Sequence, residues 1–206
     1  MRGGIGGMTA AVVALVATAA ASQTPDLPHD VLLETEAGVM ILDLDYVRAP
    51  ITACNFARYV QYGDYGHGSF FRTVVAATNA NPNPIDVIQA ATPRGSDDTL
   101  RPAIPLERTS LTGLRHVAGA VSMARDGPDT ATSSFFIVTQ DTPSLDFGGG
   151  RNPDGQGFAV FGHVVVGLDV ARAIQMRPAD GQEQLTPPVR INAAVMLTPP
   201  PPVCAA

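Results

Sequence analysis

Lysine is absent from this sequence, and arginine supplies all thirteen of its basic residues. Without an amine at a fixed place, a P-loop, a serine-lysine dyad and any Schiff-base mechanism are excluded. Nineteen acids against those arginines leave a formal charge of -6, which argues against nucleic acid as a partner, because neutralising phosphates needs a basic face. Cysteine is scarce as well. The two present, Cys54 and Cys204, together with four scattered histidines that lack i, i+4 pairing, make no zinc site of a usual spacing, so neither a metal nor a cofactor is expected. The two thiols either pair in an oxidising compartment or stay apart, Cys54 buried and Cys204 loose. Long apolar runs are missing too: the stretch over 8–17 falls short of the roughly 20 residues that a spanning helix needs.

That short run follows one arginine and precedes small residues that fit an A-x-A cleavage site at Ala19-Ala20-Ala21. Residues 1–21 therefore read as a secretory signal peptide and 22–30 as a linker, so the mature protein is expected to be exported, periplasmic or secreted, without stable membrane insertion. Cleavage removes Arg2 and no acids, leaving 12 minus 19, or -7. With 45% hydrophobic and 16% charged residues, the rest is long enough for one well-packed domain, placed at 31–198, before a proline-rich tail over 199–206 expected to be disordered.

Within the domain, "VLLETEAGVMILDLDY" pivots on Ala37-Gly38 and reads as a hairpin whose apolar face holds Leu33, Val39 and Ile41. Pro50 opens a helix ended by Gly63, with Ile51, Cys54, Phe56 and Val60 near helical spacing. Short β runs follow: "SFFRTVV", "DVIQAA", "GAVSMA", "SFFIVT" and "FAVFGHVVVG". A second helix over 168–176 precedes a closing strand, "VRINAAVML". Many short strands, two helices and no regular β-α alternation point to an antiparallel barrel or sandwich with the helices against it.

The polar stretch "DGPDTATSS" is a turn on its local chemistry. A nucleophilic role for Ser133 or Ser134 would need a base and the strand-turn-helix elbow, and Ser134 leads into a strand instead. The loop "GGGRNPDGQG" has neither the Lys-Ser/Thr pair of a phosphate cradle nor the alternating acids of a calcium loop, and is expected to be a flexible surface loop. Arg72 is a lone cation in an aromatic strand. By simple alternation Phe70 and Arg72 share one face, which leaves its direction open.

The ordered pieces "TACNFARY", "FFR", "VIQ", "GAVSMAR…GPDTATSSFFIVT", "LD" and "FAVFGHVVVGLDVARAI" resemble the cyclophilin family of peptidyl-prolyl cis-trans isomerases, most of all its exported bacterial kind. The resemblance implies a mainly β fold, a closed eight-stranded antiparallel cyclophilin-like barrel with two flanking helices, acting as a monomer on proline-containing polypeptides during the folding of exported proteins. It implies Arg72 as the catalytic arginine and Gln89 as the residue that positions it. Ala124 and Arg125 would bind the substrate chain through their backbone. Phe136 and Leu145 would wall the proline pocket, Phe158 would take an aromatic position and Val87 a position usually held by Met.

Several positions depart from the family's pattern. Phe71 replaces a histidine, Ser144 a tryptophan, and Gln89-Ala90-Ala91 a "QGG" triplet. Ser134 puts a hydroxyl where a longer amide is usual, within the substrate-binding set. Asp86 sets a carboxylate at the rim of an apolar site, unless Ile85 takes that place. The Arg72–Gln89 interval is longer by roughly nine residues, all in the Asn/Pro loop 76–84. Asp86, Ser134 and that loop favour an alternative, a catalytically weak binding module or holdase for proline-containing segments. A serine hydrolase is the third and weakest class.

Overall fold

The computed structural model describes residues 30–95, 98 and 100–205, with Met1 and Gly3. The expected leader and linker lie outside the described residues, but for Met1, Gly3 and Asp30. The domain begins with β1 (Val31–Thr35) and β2 (Gly38–Leu44), joined by the turn Glu36-Ala37. The Thr35 hydroxyl donates to Gly38 O at 2.8 Å and accepts from Ala37 N at 3.1 Å, which fixes the turn. The register follows: Leu33 lies opposite Met40 and Val31 opposite Leu42. Residues directly opposite share a face, so the buried face is Val31, Leu33, Met40 and Leu42. The expected face was out of phase on β2, where Val39 is exposed and Ile41 half-buried.

Helix α1 (Pro50–Gln61) carries Pro at its start and no side-chain cap of its own. The carboxylate of Glu107, far along the chain, accepts from Ile51 N, Thr52 N and the Thr52 hydroxyl at 3.1, 2.8 and 2.6 Å. The helix buries nearly every residue from Thr52 to Val60, while Ile51 stays exposed. Then come β3 (Ser69–Val74), β4 (Val87–Ala91), a one-turn helix α2 (Thr109–Thr112), β5 (Ala120–Met123), β6 (Phe135–Val138), β7 (Ala159–Val166), α3 (Leu168–Gln175) and β8 (Gln184–Met196). Four residues are too few to show helical periodicity, which is why α2 was not expected; Gly113, at φ +72°, ends it in the left-handed region.

The strands close in the order β1-β2-β7-β5-β6-β4-β3-β8, an eight-stranded antiparallel barrel. Helix α1 packs against β7 and β8, and α3 against β2, β3 and β4. Alternation along the strands divides the apolar residues in two. Phe70, Ile88, Ala90, Phe135, Ile137, Val121, Met123 and Phe161 join the main core with Phe56 and Tyr65. Val74, Val87, Phe136, Val138, Ala120 and Val160 form a second cluster, roofed by Ile85, Leu145, Leu114 and Phe158.

The C-terminal segment is no loose tail. Cys204 is disulfide-bonded to Cys54 across 150 residues, and its carbonyl accepts from Arg58 Nη2 at 3.0 Å, which ties the short turn Pro202–Ala205 to α1.

Candidate active site

Strand register builds the site. Gln89 on β4 lies opposite Phe136 on β6, Phe136 lies opposite Ser122 on β5, and Ser122 lies opposite Val160 on β7. These four face the second cluster, away from the main core. Arg72 on β3 joins the row because the strand bulges. Phe70 is opposite Ala90 but Arg72 is opposite Gln89, so the intervening Phe71 is an extra residue. One extra residue reverses which side the chain presents. Phe70 therefore enters the main core and Arg72 turns to the side of Gln89, contrary to the alternation that gave them one face.

Arg72 is held on two edges. Its Nη1 donates to Gln89 Oε1 at 3.0 Å, while Nε and Nη2 donate to Glu183 Oε2 at 3.1 and 2.5 Å. One donor on each terminal nitrogen is left for a substrate, since the guanidinium carries five N–H groups. Gln89 is oriented in turn: its Nε2 donates to Ser134 Oγ at 3.1 Å, and that hydroxyl donates to Ala90 O at 3.1 Å. Ser134 thus fixes the amide that fixes the arginine.

Beside this pair opens a cleft of about 220 Å³ lined by Arg72, Ile85, Val87, Gln89, Ala124, Arg125, Asp126, Phe136, Arg151 and Phe158. A second hollow of about 240 Å³ shares Arg72, Gln89, Ala124, Arg125 and Asp126 and adds Phe71, Thr130, Thr132 and Ser134. The two form one track with the guanidinium at the join. Of the expected site residues only Leu145 does not line it. Leu145 is buried beneath, in the cluster with Phe136, and its carbonyl accepts from Phe158 N at 3.0 Å, so it supports the wall from behind. Asp86 also departs from expectation. Its carboxylate faces away from the cleft, accepting from Ala76 N at 3.0 Å and Gln175 Nε2 at 2.9 Å, and Ile85 takes the place at the rim.

The aromatic wall is a T-shaped pair. Phe158 meets Phe136 edge-on at 5.4 Å, and the Arg125 guanidinium lies over Phe158 at 5.0 Å. That guanidinium is tied to the loop 147–157 through four of its five N–H groups, donating to both Asp154 carboxylate oxygens at 2.7 and 3.0 Å and to Gly157 O at 2.9 and 2.5 Å. Gly157, at φ +66°, has no room for a Cβ, which would lie 2.6 Å from the Asp146 carbonyl carbon. Arg108 Nε to Gln156 Oε1 at 2.5 Å and Asn83 Nδ2 to Gly150 O at 2.9 Å add further ties. The glycine-rich segment expected to be flexible is anchored at both ends.

Sequence reasoning missed two groups. Glu183 has no motif; it follows a turn and sits at φ +65°, a left-handed conformation uncommon outside glycine. The other is a buried chain behind Phe136. His116 stacks on that ring at 5.9 Å, with Nδ1 2.8 Å from Asp146 Oδ1 and Nε2 3.0 Å from Ser122 Oγ. Burial holds the His116 imidazole below its ordinary value despite Asp146. A carboxylate only accepts, so Nδ1–H donates to Asp146, and with the imidazole held low Nε2 is the acceptor for the Ser122 hydroxyl. Burial pushes the Asp146 carboxyl up, but hydrogen bonds from the His116 ring and backbone, the charge that ring carries once protonated in acid, and the hydrogen bond from Arg115 outweigh it and leave the group low. The order serine, histidine, aspartate imitates a hydrolase triad, yet Ser122 is fully enclosed and no acyl group can reach it. It serves to hold the wall.

The fold and the cleft define a class: a closed β-barrel protein with aromatic and aliphatic walls beside a fixed guanidinium. Residues 30–196 match the family model described as cyclophilin type peptidyl-prolyl cis-trans isomerase/CLD, and the chain belongs to this family of enzymes. It is 38% identical over 147 residues to a peptidyl-prolyl cis-trans isomerase A of Dickeya dadantii, covering 70% of each chain. It is 34% identical to the isomerase cyp18 of Streptomyces antibioticus, over 69% of this chain and 81% of that one. A cyclophilin type isomerase of Cryptosporidium parvum, solved in the presence of the dipeptide Ala-Pro, aligns with a TM-score of 0.67 at 20% identity, over 82% of this chain and 99% of the other.

Proposed function

We propose that this isomerase seats the proline ring of a polypeptide among Val87, Ile85, Phe136 and Phe158 and catalyses rotation about the preceding bond with Arg72, during the folding of exported proteins. An X-Pro amide isomerises in about tens to hundreds of seconds unaided because resonance holds it planar. Twisting restores the lone pair on the prolyl nitrogen. A donor fixed beside that nitrogen binds the twisted form better than either planar form, and the barrier falls by the difference. The step uses no nucleophile, and no proton changes owner.

The observation that carries this reading is the double bracing of Arg72, by Glu183 on one edge and Gln89 on the other, beside the apolar side chains Ile85, Val87, Phe136 and Phe158 of the cleft. The neighbouring isomerase solved with Ala-Pro supports a proline-containing substrate. Ala124 and Arg125 lie along the join between the two hollows, suited to binding a substrate chain through their backbone. Export rests on the leader-like residues 1–21 and suits the Cys54–Cys204 disulfide, which persists in oxidising compartments. The binding-module alternative loses two of its supports, since Asp86 faces away from the cleft and Ser134 braces Gln89.

The test is exchange spectroscopy on an Ala-Pro peptide with the domain 31–206. Wild type accelerates exchange, and Arg72→Ala lowers kcat/KM by about 100-fold or more, the usual loss on removing a donor aimed at developing charge. Equal rates for wild type, mutant and buffer would refute it.

A further inference from the structure

Three arginines line the cleft: Arg72, Arg125 and Arg151. Arg72 is paired with Glu183 and Arg125 with Asp154, whereas Arg151 has no carboxylate partner among the described residues. It is half-buried, held by Nη1 donating to Asn79 Oδ1 at 3.0 Å and to Asn83 O at 3.3 Å, and its backbone N bonds Ser144 O. Its Nε and Nη2 donors have no protein partner among the described residues. Burial and the charge of Arg72 hold it below its ordinary value, against the pull of Glu183. Asn79 and Asn83 belong to the long Asn/Pro loop, and Asn79 Nδ2 also donates to Glu183 at 2.5 Å. The loop therefore holds a cation that has no carboxylate partner among the described residues, in the same cleft as Arg72.

A desolvated cation facing a substrate cleft recruits an anion. We propose that Arg151 is a specificity residue that selects polypeptides with an aspartate or glutamate adjacent to the proline, through a bidentate contact from its Nε and Nη2. The inference rests on the isomerase reading of the same cleft. The rest of the chain argues against an acidic peptide and for a basic one, since a formal charge of -6 repels acidic partners. Asp126, exposed at the edge of the same cleft, adds to that repulsion. A preference for acid can therefore come only from a local contact.

The experiment uses the peptides Ala-Glu-Pro-Ala and Ala-Ala-Pro-Glu, their lysine counterparts and the all-alanine parent, with dissociation constants by NMR titration and isomer exchange in the same samples. At low ionic strength an acidic peptide of one or both pairs binds roughly three- to tenfold more tightly than its lysine counterpart, as one partly desolvated ion pair allows. Arg151→Gln brings the ratio near one, Arg151→Lys keeps part of it, and about 0.5 M salt reduces it. A ratio of one in the wild type for both pairs, or a ratio that survives Arg151→Gln, overturns the proposal. If no peptide exchanges faster than in buffer, the isomerase reading fails instead, and the titrations still decide the selectivity.

Discussion

Replacing Glu183 by glutamine removes the charge that holds one edge of Arg72 while keeping the side chain's length and a hydrogen-bonding oxygen. Two consequences compete. The guanidinium loses a charge-assisted partner that takes its Nε and one Nη2 donor, so its remaining donors wander from the prolyl nitrogen. Against this, an unneutralised guanidinium carries a stronger field. Both side chains are just under a third exposed, at 28% and 29%, so water screens much of the field. What survives screening is direction, because a nitrogen lone pair accepts along one axis. Partly exposed, the pair is worth about 1 kcal/mol, which predicts roughly a fivefold fall in kcat/KM. The fall belongs in kcat, with KM little changed, because the interaction strengthens only as the amide twists. Exchange spectroscopy at several substrate concentrations separates the two constants, and a denaturant midpoint within error of wild type excludes unfolding. A rise in kcat would refute the reasoning and show that the carboxylate restrains the arginine's charge rather than aiming it.

The Cys54–Cys204 bond closes a loop of 150 residues, which in the chain-entropy model stabilises the fold by about 5 kcal/mol; Cys204→Ser should lower Tm by on the order of 10 °C or more in calorimetry, with per-molecule activity at low temperature unchanged. Acid should destabilise in two windows. His116 is held below its ordinary value, so the unfolded chain binds its proton first; stability is complete above about pH 6.5 and falls as pH drops from there toward the folded value. Asp146 is also low, so its contribution is present above about pH 4 and is lost as pH falls through the folded value. Urea midpoints across pH 8 to 3 should show both slopes, and a His116→Gln variant lacking the first would confirm its source, whereas an unchanged slope near pH 6 would exclude His116.

The resemblance fixed the barrel and most of the cleft because those depend on short apolar runs in a definite order, and order survives in a linear string. What it missed depends on register or on distant partners. The hairpin face was out of phase because the apolar residues of 38–44 are nearly continuous, so only the Glu36-Ala37 turn decides between Met40 and Val39. Arg72 could not be aimed because the bulge at Phe71 leaves no trace in composition. Asp86 looked like a carboxylate in the proline pocket until Gln175, on α3, supplied its partner. Glu183 and Arg151 lie 111 and 79 residues from Arg72 in sequence, and no local spacing connects them to it. Both are held by Asn79, in the segment that lengthens the Arg72–Gln89 interval. The insertion that looked like an argument for weakened activity is the element that braces Glu183 and places Arg151 at the cleft, so the length of the loop belongs to the chemistry of the site.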